Sequence, residues 1–577
     1  MKHTKCYIAG HPRPQFVRKD WKSLNGTWKF AFGEEVNDAA AKKGDLARTI
    51  CVPFTYETKK SGIGDTSFHE AVWYSREIEG KAGKRTLLYI GGADYETEVY
   101  VNGSFVGRHV GAYTRFCVDV TPYLRGNRGT LCIKCTDSNS PVQVRGKQRW
   151  ERENFGCWYV QTTGIWKSVW LEYVDKQHLT ELKMTPSLQD NSVTFSVGVS
   201  HPCADAQVRI AISFDGKPVQ DVCVNARDAE NEVCVRLDSG ALTYQVEQWS
   251  VWSPALYDVE IEVWQGGKKV DTVGSYFGLR EFVAKDGKLL FNNLPYYLRL
   301  LLDQGYWPES GITPPSEEAI ERDIRLSKEM GFNGVRKHQK VEDDVFLYYA
   351  DILGFVVWCE LPSNHWYSDE ASERIVNEWI QIVRQNYNHP SVVTWVIFNE
   401  SWGVRNIFTN GRQSALATAL YYLTQNFDPM RPVISNDGWM HAKSDILTLH
   451  HYEQDGEKLY SFYDDIRKLT EGDAGNSQFL PYAEGYRYEG QPIVMSEFGG
   501  TAYVNDEKNG WGYGAGVKSD EEYIARLRSL VSAISKMHIS GYCYTQITDV
   551  EQEVNGILRA DRTPKVPVEE IAKINRI

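Results

Sequence analysis

Two runs of apolar residues end on a carboxylate. VVTWVIFNE (392–400) closes on Asn399 and Glu400, and PIVMSE (492–497) closes on Glu497. Each run is fit for a fully buried strand. An ionised carboxylate inside a protein costs several kcal/mol unless it is paired or neutralised, so both glutamates belong where a strand meets an opening. Paired carboxylates across a cleft suit glycoside hydrolysis, in which one protonates the leaving oxygen and the other attacks the anomeric carbon. A separation of roughly 5–5.5 Å gives retention through a covalent intermediate, and a wider gap admits a water and gives inversion. An arginine partner is the simple structural account of one such glutamate. Two on one rim, among imidazoles and aromatic rings, weaken that account.

The elements that must position them lie beyond residue 278. PYYLRLLLDQG, GVRKHQ, FVVWCELP, VVTWVIFNE, PVISND, ILTLHHY, PIVMSEFGG and GYCYTQITD are eight strand candidates, mostly separated by helical runs. That pattern predicts a (β/α)8 TIM barrel over 278–577, whose active site sits at the C-terminal ends of its strands. Those ends carry Asp303, Arg336 and His338, Glu360, Asn399 and Glu400, Asp437, His450, His451 and Tyr452, Glu497, and Tyr544 to Gln546. Ser316 after Pro315 predicts the N-cap of the first barrel helix, with Glu317 and Glu318 favourably placed in its first turn.

Upstream, short strand-like segments alternate with Gly, Asn, Asp and Pro. Residues 1–175 suit a β jelly-roll sandwich and 176–277 a small immunoglobulin-like sandwich. Cys132 and Cys135 look like a redox pair, but they lie three apart on the predicted strand TLCIKC, so they point to opposite faces.

Composition narrows the class. A formal charge of −12 argues against nucleic acid or an anionic membrane as partner. No run approaches 18 consecutive apolar residues, and the N-terminal stretch MKHTKCYIAGHPRPQF has no apolar signal core, so a cytoplasmic protein is expected. The eleven scattered cysteines suit a reducing compartment, and no metal-ligand spacing is present. The 18 Trp and 33 Tyr are compatible with sugar-stacking clefts and equally with β-rich cores.

HPRPQFVRKDWKSLNGTWKF, YETEVYVNG and TTGIWKSVWLE in the first part, and GFNGVRKH, NHPSVVTWVIFNE and PIVMSEFGG in the barrel, carry a family resemblance. Over essentially its full length the chain resembles glycoside hydrolase family 2, the family of β-galactosidases, β-glucuronidases and β-mannosidases. The resemblance implies a retaining mechanism without a cofactor. Glu400 would be the general acid/base and Glu497 the nucleophile, kept ionised by Arg336. Asn399 would donate to the substrate 2-hydroxyl, and Tyr452 would hydrogen-bond the nucleophile. His338 falls one residue short of the family's arginine-to-histidine spacing. His450 and His451 are expected to include one substrate contact and one packing residue. Trp402, Trp366 and Tyr544 are candidate sugar platforms, and Asp303 and Glu360 either bind hydroxyls or hold Arg336.

Departures from the subfamilies bear on the sugar. In ELPSNHWY, Asn364 and Trp366 stand where large β-galactosidases place a metal-binding Glu and His, so no magnesium requirement is expected. The Asn-x-Lys signature of β-glucuronidases is missing from the comparable stretch VNGILRADR, and the Trp-Cys-Gly context of many β-mannosidases is absent. The leading expectation is a β-galactosidase-like exo-enzyme acting on a neutral glycoside. An arabinosidase or galactofuranosidase is close behind, then a β-glucuronidase, and a non-catalytic carbohydrate-binding protein is the alternative of a different class. A homo-oligomer is expected from family habit and the flat sandwich surfaces.

Overall fold

Burial alternates along strands with one wet face and is unbroken along strands covered on both sides. Ala206–Phe214 follows the first pattern, while every residue of Val392–Asn399 is buried. The computed structural model describes residues 3–238, 245–471, 480–504 and 510–576. Two antiparallel sheets, of six and four strands, form the N-terminal sandwich around Trp28, Phe30, Tyr74, Leu88 and Ile133. Cys135 belongs to this core and Cys132 to a separate cluster with Trp73 and Tyr100, as the pleat requires. A three-stranded and a four-stranded sheet form the second sandwich, around Phe195, Val208, Ile210 and Ile261.

The barrel strands are β1 (Leu298–Asp303), β2 (Gly334–Lys337), β3 (Val356–Glu360), β4 (Val392–Asn399), β5 (Val433–Asp437), β6 (Leu447–His451), β7 (Ile493–Gly499) and β8 (Gly541–Thr545). They form one eight-stranded parallel sheet in which β1 lies between β2 and β8. Helices α1 (Glu317–Glu329), α2 (Asp344–Leu353), α3 (Asp369–Asn386) and α4 (Gly411–Phe427) follow the first four strands. Two short helices, α5 (Gly456–Phe462) and α6 (Ile466–Glu471), follow β6; α7 (Asp520–Ser535) follows β7, and α8 (Val568–Asn575) follows β8. The Ser316 hydroxyl accepts from Ala319 N at 3.2 Å, the expected N-cap. The crossover from β5 to β6 has no helix; Gly438 N instead donates to Thr448 Oγ1 at 2.9 Å. No helix of the described residues is long and apolar enough to cross a membrane.

Both sandwiches are fastened to the barrel. A loop of the N-terminal sandwich lies on the rim, with Arg145 N and Gly146 N donating to Ser363 O at 3.1 and 2.9 Å. Gly146 has φ +61°, and a Cβ there would sit 2.2 Å from Gln339 O, so only glycine permits this approach. The second sandwich is joined through Asp351 of α2. Its carboxylate accepts from Tyr276 Oη at 2.8 Å, His389 Nδ1 at 2.6 Å and Ser391 N at 2.9 Å, and Trp249 Nε1 donates to its carbonyl at 2.7 Å. His389 and Ser391 lead directly into β4, so this joint also fixes where β4 begins.

Asp351→Ala would orphan three buried donors, each costing about 1–3 kcal/mol. Calorimetry should therefore show a thermal midpoint well below that of the parent protein, whereas an unchanged midpoint would mean the joint carries no stability.

Candidate active site

β4 delivers its carboxylate through a tight turn. Glu400 and Ser401 follow the strand with φ of +49° and +59°, a region that residues with a Cβ seldom occupy. The end of β5 holds them there: Glu400 N donates to Asp437 O at 3.0 Å and Ser401 N to Asn436 Oδ1 at 2.9 Å. The turn brings the partly exposed Glu400 carboxylate to His450 Nδ1, which donates to Oε1 at 2.8 Å.

Beneath it lies Arg336, fully buried at the end of β2. Its Nε donates to Glu360 Oε2 at 2.7 Å, and Nη1 lies 2.8 Å from both Asp437 Oδ2 and Glu497 Oε1. Nη2 donates to Asn399 Oδ1 at 2.6 Å, which turns the Asn399 amide so that its NH2 is left for another acceptor. Glu360 is filled by Arg336, the amide and side chain of Gln339, and His338 Nδ1 at 3.1 Å. It therefore acts as a support for Arg336, leaving no room on its oxygens for a sugar hydroxyl.

His450 links the two carboxylates. Nδ1–H goes to Glu400 and Nε2–H to Asp437 Oδ2 at 2.9 Å, with Glu497 Oε1 3.6 Å from Nε2. Burial works against a charged ring, but the carboxylates of Glu497 and Asp437 outweigh it and push His450 up to about 10. One oxygen each of Glu400 and Glu497 and one nitrogen of His450 lie within 4.8 Å of one another. Both ring nitrogens face carboxylate oxygens, so a metal ion bound by this trio would have to displace a proton of His450.

Glu497 is buried, which alone would raise its carboxyl. His450, Arg336 and His338, with a hydrogen bond from the Tyr452 hydroxyl, hold it down at about 2. The sign follows from linkage. The stability Glu497 contributes is present above its unfolded value and lost as pH falls through about 2. That of His450 is complete below its unfolded value and lost as pH rises through about 10.

The pleat separates the strand-end residues that belong here from those that do not. Adjacent residues on a strand face opposite ways. Arg336 faces the mouth, while Lys337 lies over the Phe346 ring of α2. Asp303 pairs with Lys337 at 2.6 Å and so does not hold Arg336. Thr545 Oγ1 is 3.2 Å from the Tyr452 hydroxyl, while Tyr544 is turned outward, edge-on to Phe498 and 3.3 Å from the Tyr523 hydroxyl of α7. Tyr544 is thus a packing residue and cannot be a sugar platform. His450 is at the site, whereas His451 bonds the Tyr463 hydroxyl at 2.9 Å. Trp366 is 57% exposed, outside the aromatic cluster of the mouth. Trp402 is inside it, with Trp158 at 5.4 Å, His365 at 5.6 Å and His338 at 5.9 Å between ring centroids.

Four residues of the mouth had no local signal. Lys147 and Trp158 come from the N-terminal sandwich. Tyr513, on the loop after β7, stacks on Tyr452 with centroids 3.4 Å apart. Glu553, after β8, is bonded by Tyr159 and lies 3.8 Å from Lys147 Nζ. Trp158 lies in the stretch NFGCWYVQTTG.

Three family models match in succession: "Glycosyl hydrolases family 2, sugar binding domain" over residues 21–173, "Glycosyl hydrolases family 2" over 177–280, and "Glycosyl hydrolases family 2, TIM barrel domain" over 284–576. The chain belongs to glycosyl hydrolases family 2. Among its relatives, a β-glucuronidase of Streptococcus agalactiae is 24% identical, covering 82% of each chain. A β-galactosidase of Thermoanaerobacter pseudethanolicus is 25% identical over 66% of this chain and 52% of the relative. A putative β-glucuronidase of Formosa agariphila is 26% identical over 73% of this chain, which again spans only about half of that relative (52%). The solved β-glucuronidase of Bifidobacterium dentium superposes with a TM-score of 0.80 at 18% identity, covering 97% of this chain and 98% of that one. The β-galacturonidase of Eisenbergiella tayi bound to galacturonate gives 0.76 at 20% identity, covering 98% and 99%. At these identities the two structures speak for the fold alone.

His450→Gln keeps a side chain of similar reach but removes the charge facing Glu497. On any glycoside the protein hydrolyses, the acid limb of the kcat/KM–pH profile should move upward by roughly 1–3 units; a limb that stays in place would mean His450 does not hold Glu497 ionised.

Proposed function

We propose that the protein is a retaining exo-glycosidase that releases a neutral terminal sugar, with β-galactosides the first candidates. The observation that carries the reading is the close approach of Glu400 and Glu497, whose oxygens come within 4.8 Å of each other. This favours a nucleophile and an acid/base on one bond; an inverting pair leaves about 6.5–9.5 Å for a water.

Glu497 attacks the anomeric carbon. It is poised as an anion by Arg336 and His450, and Tyr452 donates to its other oxygen, which orients the attacking one. Glu400 gives its proton to the leaving oxygen. Glycosylation removes the negative charge of Glu497, and Glu400 then takes a proton from the water that completes the reaction. The free NH2 of Asn399 meets the 2-hydroxyl, whose bond strengthens as positive charge develops on the ring. Trp402 and Trp158 wall the mouth, where a terminal sugar would be held between the two domains.

A neutral sugar is favoured because the cations around Glu497 already stand beside carboxylates. Arg336 faces Glu360, Asp437 and Glu497, His450 faces Glu400 and Asp437, and Lys147 faces Glu553. Among the described residues, a uronate carboxylate beside any of these cations would also meet a carboxylate of the protein. The competing uronide reading rests on the names of the β-glucuronidase relatives.

A panel of aryl glycosides decides between them. β-Galactoside, β-glucoside, β-mannoside, arabinoside, galactofuranoside, β-glucuronide and β-galacturonide are compared by kcat/KM, with product anomers followed by NMR. Fastest turnover of a neutral β-glycoside with retention is the expected result, and Glu400→Ala should lower it by about 10²–10⁴-fold for a poor leaving group. Inversion, or no turnover of any member, would contradict the reading.

A further inference from the structure

Lys147 is held almost fully buried, at 5% exposure, without an oxygen to bond. It belongs to the rim loop of the N-terminal sandwich anchored by Gly146, and its Nζ stands 5.3 Å over the Trp402 ring and 5.7 Å over that of Tyr159. The nearest carboxylate, Glu553 Oε2, is 3.8 Å away, beyond hydrogen-bond distance, and the Cys157 thiol lies beside the ammonium. An ammonium has three N–H donors and is costly to bury without acceptors. Burial disfavours its charge, yet Cys157, Glu553 and Glu497 together raise Lys147, so it remains a cation. Its donors are thus held next to the proposed nucleophile with room for a ligand oxygen.

Glu553, by contrast, is rigidly bound. Oε2 accepts from the Tyr159 hydroxyl and from Gln304 Nε2 at 3.3 Å, and Oε1 accepts from Asn555 Nδ2 at 3.2 Å. Gln304 also donates to Gln546 Oε1 at 2.8 Å, and Gln546 Nε2 to Asn555 Oδ1 at 2.7 Å, so the loops after β1 and β8 hold the carboxylate in place together. The gap between Lys147 and Glu553 therefore offers a donor from one domain and an acceptor from another, across a distance too long for them to satisfy each other.

We propose that Lys147 and Glu553 form an inter-domain pair that determines specificity by reading one hydroxyl of the terminal sugar remote from its 2-position. The hydroxyl oxygen accepts a hydrogen bond from Lys147, and its O–H donates one to the Glu553 carboxylate. An anionic substituent in the same place can take the Lys147 bond but meets the Glu553 carboxylate, so the pair disfavours uronides. The inference rests on the glycosidase reading of the site and adds to it the group that selects the sugar.

Lys147→Met and Glu553→Gln, which nearly preserve volume, are compared with the parent protein on the best neutral aryl glycoside, its 3-, 4- and 6-deoxy analogues, and the matching uronide. Each variant should lose about tenfold to a hundredfold in kcat/KM on the parent sugar, and the Lys147→Met loss should vanish on one deoxy analogue. Glu553→Gln should raise the uronide-to-neutral ratio about tenfold or more. A thermal melt checks folding, and if Glu553→Gln fails to fold, the Lys147→Met series still decides. Equal losses on all deoxy analogues, an unmoved uronide ratio in folded Glu553→Gln, or a parent protein that prefers the uronide would overturn the inference. A parent protein that hydrolyses no glycoside would instead remove the glycosidase reading beneath it.

Discussion

One buried cation organises the mouth of this barrel. Arg336 has no exposed surface, and a guanidinium taken from water is tolerable only when carboxylates and hydrogen bonds replace the solvent on every side. Glu360, Asp437, Glu497 and Asn399 do so, from β3, β5, β7 and β4. The constraint propagates outward. Asp437, driven far below the usual carboxylate range by Arg336 and His450 despite its burial, keeps His450 charged, and His450 holds Glu400 at the opening. The two glutamates thus differ by depth in one electrostatic chain. Glu497 lies against the cation, and Glu400 lies one imidazole further out, partly in solvent.

The barrel does not finish the mouth by itself. The N-terminal sandwich lends the loop with Lys147 and Trp158, seated by Gly146 on the rim, and loops after β7 and β8 reach up to meet it: Trp511 Nε1 donates to Gly156 O at 2.9 Å and Gln552 Nε2 to Trp158 O at 2.9 Å. The second sandwich acts further back, through Asp351 at the start of β4. A change in the packing of either sandwich therefore reaches the candidate site, through the strand that carries Asn399 and Glu400 or through the wall that faces them.

Much of this was legible in the sequence, for a physical reason. Strands buried on both faces appear as unbroken apolar runs, and a carboxylate at the end of such a run has few places to go, so Glu400 and Glu497 stood out. Arg336 and Tyr452 were found through the family resemblance and lie in contact with Glu497. Two strand-end choices went astray on the pleat. The end of a strand can be located from its composition, but which of two neighbouring residues faces the mouth depends on register, so Tyr544 was expected where Thr545 is, and Asp303 was not seen to pair outward with Lys337. Lys147 and Glu553 had no signal at all, because a contact between residues some four hundred positions apart leaves no trace in local periodicity or turn chemistry.

The central claim is that Glu497 is the carboxylate that bonds to the sugar, and covalent trapping tests it most directly. A 2-deoxy-2-fluoro glycoside of the preferred sugar with a good leaving group slows both chemical steps and lets the glycosyl-enzyme accumulate. Peptide mass spectrometry of the inactivated protein should then place a single glycosyl adduct on the peptide containing Glu497, with none on that containing Glu400. An adduct on Glu400, or inactivation with the sugar attached elsewhere, would contradict the account.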